Sequence, residues 1–230
     1  MQYRPLRIAL ASLAAALTVV TTAAAVTGST PDGDAHPYVG ALFVDGAVAC
    51  SGVLVTPTVF ATAGHCGSDG ARVAVSLDTA LGGGWSLLAG TLEVDPAKGA
   101  DLAVVVLDAP APGVEPAALP AAGSLGSLSK GTVVTSVGYG YSALAADGFV
   151  YDGLRRAADS PLLKVGKSSL TLSTADGGPC MGDSGGPQLD GDTVLSLTST
   201  GSKDCSGKAE AYRLDTAAAR AFLGDFVALP

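Results

Sequence analysis

The chain has 230 residues, enough for one large domain or two small ones with a proper core, and alanine inflates an apolar share of 48%. Thirteen Lys and Arg face 21 Asp and Glu, a formal net charge of −8. Phosphates would be repelled by that balance, which argues against a nucleic-acid partner.

The chain opens like an export signal. Arg4 and Arg7 form a positive n-region, residues 8–20 are an uncharged apolar run, and "AAA" at 23–25 fits an A-x-A cleavage site. An uncleaved anchor is the alternative, but the run is short and rich in Ala and Thr against the about 20 strongly apolar residues of a spanning helix. Residues 1–25 are therefore expected to be a signal peptide, and the rest to be secreted without stable membrane association. Cys50, Cys66, Cys180 and Cys205 then read as two disulfides in an oxidising compartment, with three pairings open. A zinc site is the competing use of these cysteines, and no C-x-x-C pair supports it.

After the signal, Gly and Pro punctuate short β-rich runs. These are "SGVLVT" (51–56), "ARVAVSL" (71–77), "WSLLAGTLEV" (85–94), "LAVVVL" (102–107), "TVVTSVGYG" (132–140), "SLTLST" (169–174) and "TVLSLTST" (193–200). A Pro-, Ala- and Gly-rich stretch at 108–127 is the best linker candidate and splits the chain into halves of about six strands. One helix is expected at the end, capped by Thr216, with Ala218, Phe222 and Phe226 at helical spacing. The pattern predicts an all-β sandwich or barrel.

The chemistry narrows quickly. His65, in "ATAGHC", follows an apolar strand; His36, before a proline, reads as a surface residue. Asp101 stands just before the buried run "LAVVVL", where a charge is costly unless hydrogen-bonded, and an imidazole N–H is a suitable partner. Ser184 lies in "CMGDSGGP", crowded by three glycines. Those glycines permit unusual backbone angles and close approach of another chain.

"TAGHC", "DLAVVVL" and "GDSGGP", in that order, resemble the chymotrypsin/trypsin-like family of serine proteases, most closely its short secreted bacterial members. The resemblance spans residues 26–230. It implies two packed antiparallel six-stranded β-barrels with a C-terminal α-helix, residues 26–120 carrying His65 and Asp101 and residues 121–230 carrying Ser184. It makes Ser184 the nucleophile, His65 the general base, Asp101 its orienting partner, and the N–H groups of Gly182 and Ser184 the oxyanion hole. It pairs Cys50 with Cys66 and Cys180 with Cys205. It also puts Ser199 and Gly201 along the substrate backbone, with Thr200 where the family has a tryptophan, and joins an N-terminal Val26 ammonium to Asp183.

For the specificity pocket the resemblance places Gly178 at the floor, where trypsins carry Asp. Glu210 falls on the wall, facing a basic P1 side chain; a shift of register would instead leave Glu210 in solvent and the P1 preference apolar. Protein or peptide substrates are implied, with no cofactor and no metal. A non-catalytic binding homologue and an esterase-like serine hydrolase are the rival readings.

Overall fold

The computed structural model describes residues 26–145 and 148–230. The segment read as an export signal lies outside them. In chain order the strands are β1 (Thr30–Pro31), β2 (Val39–Val44), β3 (Ala47–Thr56), β4 (Val59–Thr62), β5 (Arg72–Ser76), β6 (Leu88–Val94) and β7 (Ala103–Leu107). There follow β8 (Val133–Gly138), β9 (Ala143–Ala145), β10 (Gly148–Val150), β11 (Arg156–Val165), β12 (Ser169–Ser173), β13 (Pro187–Asp190), β14 (Thr193–Gly201) and β15 (Lys208–Arg213). Among the described residues there is one α-helix, α1 (Ala217–Leu223), near the C-terminal end.

Strands β2-β3-β4-β7-β6-β5 close one antiparallel barrel, and β11-β12-β15-β14-β13-β8, sealed by β8 pairing with β11, close a second. This is the expected double barrel. Closure leaves few free sheet edges, so short strands suffice. Leu42, Val53, Leu54, Phe60, Val75, Leu92 and Val105 fill the first barrel, and the same cluster runs on through Tyr139, Leu197 and Tyr212 to Ala219 and Leu223 of α1. A smaller cluster around Leu162, Leu170 and Leu172 fills the far end of the second barrel. The barrels thus share one continuous core, and residues at their junction are held from both sides.

Two expectations need correction. Thr216 does cap α1, its Oγ1 accepting from Ala219 N at 3.2 Å, but the buried line is Ala219, Leu223 and Val227, not Ala218, Phe222 and Phe226. The helix stops at Gly224, so a stripe counted on to residue 226 leaves the helix before it is complete. His36 is also no free surface residue. Its side chain is 19% exposed and Nδ1 meets a carboxylate oxygen of Asp32 at 2.5 Å.

Candidate active site

Strand pairing brings the candidate residues together. β4 and β7 run antiparallel with Thr62 opposite Ala103, so the residues just after β4 and just before β7 meet at one barrel end. His65 occupies a 3₁₀ turn, Gly64–Cys66, immediately beyond β4. Asp101 stands two residues before β7. The Asp101 carboxylate accepts the backbone N–H of His65 at 3.0 Å, and both its oxygens lie 3.0 Å from His65 Nδ1. A carboxylate gripping both the ring and the backbone fixes where the imidazole points and leaves Nε2 as the basic nitrogen.

Ser199 completes the arrangement. The β14–β15 ladder slips register between Thr198 and Thr200, and a bulge of this kind re-aims the residue it contains. The Ser199 hydroxyl accordingly donates a short hydrogen bond to Asp101 Oδ2. Burial pushes the Asp101 carboxyl up, but the hydrogen bonds from His65 and Ser199 outweigh it and hold the group below its ordinary value. The same Asp101 bond raises His65 despite partial burial. Sequence reasoning had placed Ser199 only along the substrate backbone; its side-chain role depends on the bulge, which no letter announces.

Ser184 belongs to the second barrel but is tied to the first. Its carbonyl accepts the N–H of Ser51 at 2.9 Å. Ser51 follows Cys50, which is bridged to Cys66 next to His65, with an S–S distance of 2.01 Å. The second disulfide, Cys180–Cys205, braces the other flank of the serine loop. His65 and Ser184 make no hydrogen bond to each other among the described residues; such contacts commonly tighten only when substrate binds.

The glycines of the loop have specific reasons. Gly185 has φ +77, and a Cβ there would sit 2.2 Å from Thr62 Oγ1 and 2.5 Å from the Ser51 carbonyl. Only a bare backbone lets the two barrels close this tightly. Gly182, at φ +91, turns the chain so that its own N–H and that of Ser184 donate to no other group among the described residues. Two unspent donors beside one hydroxyl can hold a developing oxyanion. Ser51, a residue the sequence did not single out, anchors this turn: its Oγ donates to the Gly182 carbonyl at 3.0 Å and accepts from Tyr139 N at 2.9 Å.

Asp183 is wholly buried and accepts from the N–H groups of Gly140 (2.8 Å) and Cys180 (2.9 Å). Burial pushes it up to about 7, against the pull of those two donors. No cation faces it among the described residues. Val26 is also fully buried, and the next residue, Thr27, bridges to Gly178, whose N–H donates to Thr27 O at 2.8 Å.

A cavity of about 150 Å³ beside Ser184 is lined by Pro179, Cys180, Met181, Thr198, Thr200 and Gly201, with Ser202 and Lys203 at one side. Neither Gly178 nor Glu210 lines it. The side-chain direction of Gly178 points at Ser160 and Thr174. Glu210 accepts from Ser169 Oγ at 2.9 Å and Thr171 Oγ1 at 2.8 Å on the neighbouring strand β12. Its carboxylate is already satisfied there. The cluster Cys50, His65 and Cys66 has the composition of a metal site, but its sulfurs are joined to each other, leaving no thiolate to act as ligand.

Comparison with known proteins agrees with this architecture. No curated protein matches the chain in sequence. Among solved structures, HL collagenase superposes with a TM-score of 0.68 at 20% identity, covering 86% of this chain and 94% of that one. At that identity the likeness speaks for the fold. The family model for trypsin matches residues 25–219, a span that contains both barrels, both disulfides and every candidate residue above. The chain belongs to the trypsin family of serine proteases.

Proposed function

We propose that the chain is a secreted serine endopeptidase working through Ser184, His65 and Asp101. Ser184 Oγ attacks the scissile carbonyl while His65 Nε2 takes its proton and later returns it to the leaving amine. Asp101 holds the tautomer and stabilises the imidazolium. The N–H groups of Gly182 and Ser184 receive the oxyanion, each donor contributing roughly 10²–10³ in rate. One observation carries this reading: the Asp101 carboxylate bridges His65 N and Nδ1 at 3.0 Å. A structural histidine would not need to be held from two sides with its second nitrogen free. The test is labelling with a fluorophosphonate probe followed by a peptide-library digest. Wild type should label and cleave, and Ser184→Ala should do neither while keeping its fold. A labelled enzyme that turns over only esters would replace this reading with the esterase one, and an unlabelled protein would support a binding homologue.

For the residue on the acyl side of the cut, an uncharged P1 side chain fits better than a basic one. The cavity beside Ser184 has no carboxylate in its lining, its one charged group is Lys203, and Glu210 is occupied by two hydroxyls. Peptides differing only at P1 decide this: Leu should exceed Arg, and Glu210→Gln should leave the ratio alone. An Arg preference lost in that variant would restore the basic reading.

We also propose that cleavage after Ala25 makes the Val26 amine the partner of Asp183, so that removing the signal yields the active enzyme. The support is a buried carboxylate that faces no cation among the described residues and a buried Val26 one residue from the backbone bridge at Thr27.

A further inference from the structure

A second cavity, of about 350 Å³, opens on the other side of the oxyanion loop. Its walls are Val48, Tyr139, Tyr141, Tyr151 and Met181, and its edge is Gly182. Met181 is common to both cavities. A peptide whose carbonyl oxygen sits on the Gly182 and Ser184 N–H groups, with its P1 side chain in the cavity that holds Ser184, must continue across Met181 and Gly182. Its leaving-group half therefore enters the second cavity.

The chemistry of these walls is one-sided. None of the lining residues carries a charge. Tyr151 is 45% exposed and Met181 42% exposed, so large apolar surfaces are kept open to water, where covering them is favourable. Tyr141 meets Tyr151 edge-on at 6.1 Å and packs on Phe149 at 5.4 Å, which leaves ring faces and edges available to another ring. Met181 supplies an adaptable side that can follow the shape of its guest.

The walls are also fixed to the catalytic loop. Tyr141 N donates to Met181 O at 2.8 Å. Ser142 N and Oγ both donate to Val150 O, at 2.7 and 2.9 Å. Gly140 N donates to Asp183. A side chain lodged here is thereby held in fixed register with the oxyanion hole, so its binding can be expressed in the transition state.

We infer that this cavity selects an apolar, above all aromatic, side chain at one of the first two positions after the scissile bond, with Tyr151 as the specificity-determining residue. The inference rests on the protease reading above and goes beyond it by naming the leaving-side chemistry of the substrate. The test is a set of internally quenched peptides with a common acyl half and Phe, Leu, Ala or Asp at the first two leaving-side positions. For wild type, kcat/KM for the Phe and Leu members should exceed that for Asp by tenfold or more, in line with what a hydrophobic pocket distinguishes. Tyr151→Ser should bring the ratio to within about twofold, whereas Tyr151→Phe should keep it; a merely structural tyrosine would lower all members together. Equal kcat/KM across the wild-type series overturns this inference and leaves the protease reading intact. Labelling of Ser184 without cleavage of the Phe and Leu peptides also counts against this inference alone. Neither labelling nor cleavage overturns both.

Discussion

Asp101 is a carboxylate whose position forces its pairing. It stands half-buried at the mouth of the first barrel, where burial raises its pKa and only the donors His65 and Ser199 bring it back below the ordinary value. The bond between Asp101 and His65 acts on the imidazole in the opposite sense and raises it. A general base works only when unprotonated, so the acid limb of kcat/KM should fall above the ordinary histidine value of about 6.5. Replacing Asp101 by Asn removes the group that raises His65 and also frees the wrong tautomer. The variant should lose about 10⁴-fold in kcat, as the same exchange does in the archetypal Ser-His-Asp enzyme, and the acid limb of its residual activity should move to lower pH. A pH–rate profile measures both. An unmoved limb would mean that His65 is not the titrating base.

Ser51 shows how one strand carries the chemistry of another. Its hydroxyl spans from β3 to the serine loop, accepting from the buried Tyr139 N–H and donating to the Gly182 carbonyl. Ser51→Ala should strand that N–H and cost about 1–3 kcal/mol, seen as a lower denaturation midpoint, and it should lower kcat by loosening the Gly182 turn. A midpoint unchanged from wild type would dismiss the role. Such contacts were illegible in the sequence, because a serine in "CSGVLVT" looks like any other strand residue. The strands that were legible are those whose own letters are apolar or β-branched, such as β7 and β14. β11, "RAADSPLLKV", and β15, "KAEAYR", hide because polar residues interrupt them and their burial comes from partners far away in the chain. The surroundings of Glu210 were illegible for a related reason: its hydroxyl partners Ser169 and Thr171 lie about forty residues earlier, on the strand β12 that pairs with β15. The segments that carry His65, Asp101 and Ser184 stand out in the sequence because their glycines and charges answer to local needs.

The two barrels and the N-terminal segment are held in one relation by Arg155, the largest fully buried side chain. From the second barrel its Nε reaches Asp32 at 2.9 Å, Nη2 reaches Gly33 O at 2.7 Å, and Nη1 reaches Leu77 O of the first barrel at 3.0 Å. Arg155→Met would leave Asp32 buried without its cation, and unfolding should show a loss of about 3–5 kcal/mol; a loss under 1 kcal/mol would mean that His36 alone satisfies Asp32. The same N-terminal segment bears on Asp183, and here pH gives a sharper test. With residues still attached before Val26, Asp183 is raised to about 7 from an ordinary 3.8. A raised folded pKa means that the contribution is full below the unfolded value and is lost as pH rises through the folded one, so the unprocessed chain should weaken between about pH 4 and 7. A free Val26 ammonium would pair with the anion and reverse that loss, until the amine itself deprotonates at higher pH. Protein beginning at Val26 and protein with one extra alanine before it should therefore have nearly equal Tm at pH 4. At pH 7.5 the Val26 form should be clearly the more stable, and it alone should be strongly active. A Tm difference that does not change with pH, or full activity in the extended form, would remove the Val26–Asp183 pair from the account of activation.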